Sequence, residues 1–127
     1  MKEIYALLSR FDIEVLWITD KNPEDIKGMQ IPPHPEDNLL ENKICIGINP
    51  LLDLKERVIT FFHELLHYDW KREREFFDLY GRNPETEKKL EDEVENESYS
   101  IYNFQPRLVN YIISKYHLND ARFGRRF

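Results

Sequence analysis

The chain shows two different periodicities of hydrophobic residues in its first half. In residues 2–10 the apolar positions recur every three or four residues, which predicts an amphipathic helix. Residues 12–19 and 42–48 are instead rich in β-branched side chains, which predicts two strands. This part of the chain is therefore expected to contribute both a helix and a sheet.

A proline-containing segment separates the two predicted strands. Residues 24–38 hold three prolines, so we expect a loop, with a short strand at 28–31. His34 lies inside this loop, and we interpret it as a surface histidine without a functional role.

The helical period returns after residue 50 and is strongest between residues 53 and 80. Asp53 is followed three residues later by Glu56, which is typical of a helix N-terminus. The apolar positions then continue at helical spacing as far as Tyr80, and Gly81 is expected to end the helix. The pattern thus predicts one long helix.

Two further helices are predicted after that glycine. Pro84 suits the first turn of a helix that runs to about Asn103, and Pro106 should break it. Residues 107–117 have the period of a last amphipathic helix. The basic tail that follows is expected to be frayed.

Composition narrows the class of protein. The 127 residues, of which 41% are hydrophobic, suit a single domain that spans residues 1–127. A net charge of −6 argues against a nucleic-acid binder, and no apolar run is long enough for a membrane span. With Cys45 as the one cysteine, no internal disulfide can form, and we expect a cytoplasmic protein.

The strongest chemical signal lies inside the long predicted helix, where residues 63–67 read HELLH. Four residues of helix bring His63 and His67 onto one face, so both imidazoles can bind the same Zn²⁺. Glu64 can then serve as the general base for water at that metal. The motif predicts a zinc site with Glu64 as the catalytic residue.

A catalytic zinc site needs a third protein ligand, and the next predicted helix offers four carboxylates. These are Glu91, Glu93, Glu95 and Glu97. If the two helices form an antiparallel hairpin that turns near Arg82, the centre of the histidine pair faces about residue 99. Ser98 would also allow a close approach of the helices beside Glu95. We therefore favour Glu95, and the other three remain open.

These segments resemble the ImmA/IrrE-type metallopeptidases, a gluzincin-like family. In that family an apolar strand precedes a stretch like ERxRFTxAHELGH, and a later helix carries a pattern like ExEANxFA. The first stretch is matched at Glu56, Arg57, Ile59, Thr60, His63, Glu64, Leu65 and His67. The second is similar to Glu95-Asn96-Glu97-Ser98 and Ile101.

The resemblance covers residues 42–106 and implies a fold as well as a site. The fold would be α+β and zincin-like, with a short antiparallel or mixed sheet packed on the HExxH helix and on an antiparallel ligand helix. The zinc ligands would be His63, His67 and Glu95, and a register shifted by two would make Glu93 the ligand instead.

The expected function is a zinc-dependent peptidase whose protein or peptide substrate pairs with the strand at 43–48. The alternative is an inactive peptidase-fold protein that acts as a protein-binding module. A donor to the oxyanion is also needed. The candidates for that donor are Tyr68, Tyr99, Tyr102 and His117.

Overall fold

The computed structural model describes residues 2–32, 42–122 and 125–126. The prediction for His34 therefore lies outside the described residues. The elements are α1 (Lys2–Arg10), β1 (Asp12–Trp17), β2 (Gly28–Ile31), β3 (Lys43–Ile48), α2 (Leu54–Leu66), α3 (Trp70–Tyr80), α4 (Pro84–Phe104), α5 (Pro106–Tyr116) and β4 (Arg125–Arg126). The predicted α+β class is confirmed.

The four strands form one mixed sheet in the order β2-β3-β1-β4. β1 runs parallel to β3 and to β4, whereas β2 is antiparallel to β3. The strand at 43–48, to which we expected a substrate to pair, is an interior strand, because β3 is hydrogen-bonded to β1 on one side and to β2 on the other. Residues 44–48 are all buried, as suits an interior strand, and β2 lies at the edge.

Helix α2 packs against the sheet and forms the centre of the core. Its N-terminus is capped as predicted, since the Asp53 carboxylate accepts a hydrogen bond from the Glu56 N–H at 2.8 Å. The side chains that α2 buries are Val58, Ile59, Thr60, Phe61, Phe62, Leu65 and Leu66. The two motif histidines flank this buried surface and are themselves half-buried.

The prediction of one helix from residue 53 to 80 is wrong, because the chain turns at residues 67–69. Asp69 starts a new helix by accepting a hydrogen bond from the Arg72 N–H at 3.2 Å. Tyr68 is 8% exposed and packs its ring against Phe11, which draws the turn into the core. Short polar side chains such as that of Asp compete with helical backbone bonds, and this favours a cap over a continued helix. Gly81, with φ +85°, ends α3 as predicted.

Helix α4 lies antiparallel to α2. The contact of Tyr99 with Glu56 marks one end of the pair, and the contact of His67 with Glu91 marks the other. Helix α4 starts at Pro84 and ends before Pro106, as predicted. The predicted buried face of Leu90, Val94, Ser98 and Ile101 is also confirmed, and Thr86 extends it towards the start of the helix. Ser98 is fully buried, and its hydroxyl donates to the Val94 carbonyl.

The C-terminal segment differs from the frayed tail that was predicted. Arg125 and Arg126 pair with β1 as a short parallel strand. The Arg125 guanidinium also donates to Glu14 on β1, at 2.8 Å from Nε. Tertiary pairing of this kind has no signal in the local sequence.

In the part of the chain that the structure describes, no helix is both long and apolar enough to cross a membrane.

Candidate metal site

The two motif histidines lie side by side at the C-terminal end of α2. His63 is in the last turn, and His67 is the C-cap residue, whose helical φ and ψ of −65° and −15° preserve the spacing of one turn. Their ring centroids are 5.0 Å apart, and their Nε2 atoms are 3.3 Å apart. The arrangement thus points the same nitrogen of each ring towards a common position.

The opposite nitrogen of each ring is held by a carboxylate. His63 Nδ1 lies 2.6 Å from Glu95 on α4, and His67 Nδ1 lies 2.6 Å from Glu73 on α3. An Nδ1–H that donates to a carboxylate fixes the ring orientation and leaves the Nε2 lone pair for a metal. Both histidines therefore have the outer partners that are usual for metal-binding imidazoles.

Glu91 closes the group on its third side. Its two carboxylate oxygens lie 2.9 Å from His63 Nε2 and 2.8 Å from His67 Nε2. Ligand atoms from these three residues all lie within 4.8 Å of one another. Two imidazole lone pairs and a carboxylate repel one another unless a cation, either a proton or a metal ion, lies between them.

The spacing of the two imidazoles fits zinc. Two ligands at about 2.0–2.1 Å from a tetrahedral ion are separated by about 3.3 Å, which is the distance observed between the Nε2 atoms. Two imidazoles and one carboxylate also form a donor set that is known in catalytic zinc sites. The residues present thus fit the metal that the motif predicts.

Acidic neighbours also favour a proton at this position. Burial alone would lower the pKa of His67, but the hydrogen bond to Glu73 and the charges of Glu91, Glu73 and Glu64 together raise it. A proton on His67 is therefore the natural competitor of a metal ion.

Glu64 lies beside the histidines, at a cavity between α2 and the edge strand. This cavity has a volume of about 250 Å³, and Gly28, Thr60, His63 and Glu95 are also in its wall. Burial raises the pKa of Glu64, and the charges of Glu91 and Glu95 add to this effect, whereas the two histidines oppose it. A carboxylate with a raised pKa is well suited to accept and return a proton.

The structure separates the four candidate third ligands. Glu91 faces both Nε2 atoms, whereas the favoured Glu95 binds the far nitrogen of His63. Glu93 and Glu97 both bind Arg72 on α3. The expected hairpin had one straight helix up to residue 80, but α2 ends at Leu66. Because the chain turns at residues 67–69, the carboxylates that face the histidines lie one to two helical turns before residue 99.

Glu73 is a site residue that the sequence analysis missed. It is six residues from His67 and reaches it only because the chain turns at Asp69. The signal that could have revealed it is the capping preference of Asp69, which marks a helix start within hydrogen-bonding reach of the motif.

The candidate oxyanion donors occupy different environments. Tyr68 is buried among aromatic rings, and burial raises its pKa to about 12. The Tyr99 hydroxyl lies 3.4 Å from Glu56, which is in the wall of the same cavity as Glu64. The ring of Tyr102 packs against Lys55, and His117 is the left-handed C-cap of α5. Tyr99 is not itself in the wall of the cavity, but of these contacts only its own is with a wall residue.

Comparisons of the chain with family models, with characterised proteins and with solved structures find no match. The function of the site is therefore inferred from its geometry and from the chemistry of its residues.

Proposed function

We propose that the protein is a zinc-dependent peptidase with a zincin-like fold, in which His63, His67 and Glu91 hold the metal. The observation that carries this proposal is the opposed arrangement of the imidazoles. Both Nδ1 atoms contact carboxylates, and both Nε2 atoms face each other and Glu91. The third ligand differs from the favoured Glu95, which would instead orient His63.

In this proposal the chain's own residues have separate tasks. Bound zinc supplies a Lewis acid that lowers the pKa of water and polarises a carbonyl group. The Glu64 carboxylate takes the proton from the attacking water and returns it to the leaving amine. Glu95 and Glu73 keep the two rings in the required tautomer and orientation. Tyr99 is the favoured donor to the developing oxyanion.

The substrate would pair with β2 instead of β3. In the described part of the sheet, β2 has β3 on one side and no strand on the other. Gly28 at its start lies against Thr60 and Glu64 of α2, so an added strand would run beside the general base. Exposed edge strands are the usual place for an extended peptide to add to a sheet.

The test combines metal content with cleavage. Elemental analysis of the purified protein should give one zinc per chain, and His63→Ala should lose it. Glu64→Gln should keep the zinc and lose cleavage of an unfolded protein such as casein, since it removes the base and leaves the proposed ligands in place. Cleavage by Glu64→Gln equal to that of the wild type would contradict the proposed mechanism.

The second candidate is a metal-free binding module with the same fold. It is favoured by the raised pKa of His67, since a proton held between His63, His67 and Glu91 would also relieve the repulsion among their lone pairs and negative charge. A protein that is purified without zinc, and that binds none from a buffered zinc solution, would establish this candidate and exclude the peptidase.

A further inference from the structure

A cavity on the outer side of α3 collects cationic side chains. Its volume is about 480 Å³, which is within the range of ligand pockets. The cationic residues in its wall are Arg10, Lys71, Arg74 and Arg82. The protein as a whole has 24 acidic and 18 basic residues, so a cluster of four cations opposes its net charge of −6.

One of these cations also has acidic neighbours, since Lys71 lines a second cavity together with Glu3, Asp69, Glu75, Glu93 and Glu97. In the described part of the chain, none of the four forms an ion pair with a carboxylate. Arg10 and Arg82 instead lie over the rings of Phe11 and Phe77. Glu73 is the one acidic residue in the wall, and its carboxylate is turned to His67. The cavity is therefore short of negative charge.

One of these cations, Lys71, occupies a position that the helix dipole disfavours. Lys71 lies in the first turn of α3, where the positive end of the dipole repels a cation, whereas Arg74 lies beyond that turn. Helix α3 has no fully buried residue, so this position is not dictated by packing either. A bound anion would remove the repulsion.

An exposed aromatic ring completes the wall. Trp70 is 56% exposed, although it is one of the largest apolar side chains, and it touches the cavity together with Phe77. Aromatic rings beside arginine suit a ligand that combines an apolar side chain with carboxylates. An acidic peptide segment with an apolar residue has both properties.

We propose that this cavity binds an acidic segment of the polypeptide on which the metal site acts. The proposal rests on the proposed function, and it adds the substrate class. One side chain joins the two sites, since Glu73 is in the wall of the cavity and also holds His67. A short acidic segment fits four local cations, whereas a long nucleic acid would meet repulsion from the acidic remainder of the surface.

The first experiment uses Trp70 as a reporter of the local charge. Trp17 is 1% exposed, so collisional quenchers should act on Trp70 alone. We expect the ratio of iodide to caesium quenching constants to be higher than for the neutral reference N-acetyltryptophanamide. The double variant Lys71→Gln/Arg74→Gln should lower this ratio, while the matched double variant Lys88→Gln/Lys89→Gln on α4 should leave it unchanged. A wild-type ratio no higher than that of the reference would overturn the proposal.

The second experiment measures binding without turnover, on Glu64→Gln protein with and without zinc. The probe is a labelled peptide that has four glutamates around one leucine, and glutamines replace the glutamates in its control. We expect the Lys71→Gln/Arg74→Gln change to weaken binding of the acidic peptide at least about ten-fold, and the Lys88→Gln/Lys89→Gln change to alter it less than about two-fold. The control peptide should bind no variant measurably.

The outcomes of these experiments separate this proposal from the proposed function. Selective binding of the acidic peptide by a protein that holds no zinc would support the anionic site and contradict the peptidase. Zinc-dependent cleavage with equal binding of both peptides would support the peptidase and contradict the anionic site. Tighter binding of a single-stranded oligonucleotide than of the acidic peptide would overturn the choice of ligand.

Discussion

Glu91 and Glu95 lie one helical turn apart on α4, yet they contact opposite nitrogens of the His63 ring. The difference predicts different effects of their loss. If Glu91 is the ligand that we propose, Glu91→Gln should weaken zinc binding more than about 100-fold, whereas Glu95→Gln, which would remove an outer partner, should weaken it about 10–100-fold. Competition with a chromophoric chelator measures both affinities.

The control for this comparison is Asp92→Asn on the exposed face of the same helix. Its carboxylate pairs with Lys88, so its loss should leave zinc affinity unchanged. If Glu95→Gln weakens binding more than Glu91→Gln, then Glu95 is the ligand, as the sequence analysis favoured.

Individual residues were predictable from the sequence to the extent that their roles are local. The pair His63 and His67 and the neighbouring Glu64 follow from a spacing of one turn, which the helix enforces. The roles of Glu91 and Glu73 depend on how α3 and α4 are placed relative to α2. A motif contains no information on that placement, so the choice of Glu95 among the four carboxylates depended on an assumed hairpin geometry.

At the scale of elements, the close approach of β2 to α2 makes Gly28 a sensitive position. A Cβ at residue 28 would lie 2.3 Å from Thr60 Cγ2 and 3.0 Å from the Gly47 carbonyl oxygen. Gly28→Ala should therefore lower the free energy of unfolding by about 1–3 kcal/mol, as overpacking usually does. Urea denaturation of both proteins gives this difference.

The same contact provides an internal control for the Gly28→Ala prediction. Thr60→Ser removes the methyl group that the new Cβ would meet, so Gly28→Ala should be less destabilising in a Thr60→Ser background. A cost that is the same in both backgrounds would show that the strain arises elsewhere, for example at the Gly47 carbonyl. The comparison isolates the contact that sets the distance between the edge strand and the HExxH helix.

Helix ends were more predictable than helix continuity. Asp53, Gly81 and Pro84 act through their own backbone and side chains, and each is where the sequence analysis expected a boundary. The turn at residues 67–69 was missed because the apolar period resumes in phase after it. The decisive contribution is tertiary, namely the packing of Tyr68 against Phe11.

At the scale of the whole molecule, the order of the strands was the least predictable feature. Residues 43–48 read as a strand, but their position between β1 and β2 depends on pairing over long sequence distances. The buried run of residues 44–48 was the available sign of an interior strand, since an edge strand with one covered face would alternate. The sequence analysis treated residues 43–48 as an edge strand, and the structure places them inside the sheet.

The ion pair between Arg125 on β4 and Glu14 on β1 predicts a pH-dependent contribution to the stability of the fold. The hydrogen bond from Arg125, together with the charges of Arg125 and Lys43, lowers the pKa of Glu14 below its usual 4.5, despite burial. A carboxylate whose pKa is lower in the folded state stabilises the fold above the unfolded pKa, and this stabilisation is lost as the pH falls through the folded pKa. The Arg125 side chain is 63% exposed, so solvent screening limits the coupling to less than about 1 kcal/mol.

A double-mutant cycle of Glu14→Gln and Arg125→Gln isolates this coupling from the other contacts of each residue. Urea denaturation of the four proteins at pH 7 should give a positive coupling energy, which should decrease towards zero as the pH is lowered below 4.5. Because Lys43 also pairs with Glu14, the single Glu14→Gln variant should lose more stability at pH 7 than Arg125→Gln. A coupling energy that increases as the pH falls would contradict the ion pair, and with it the electrostatic support for joining β4 to the sheet.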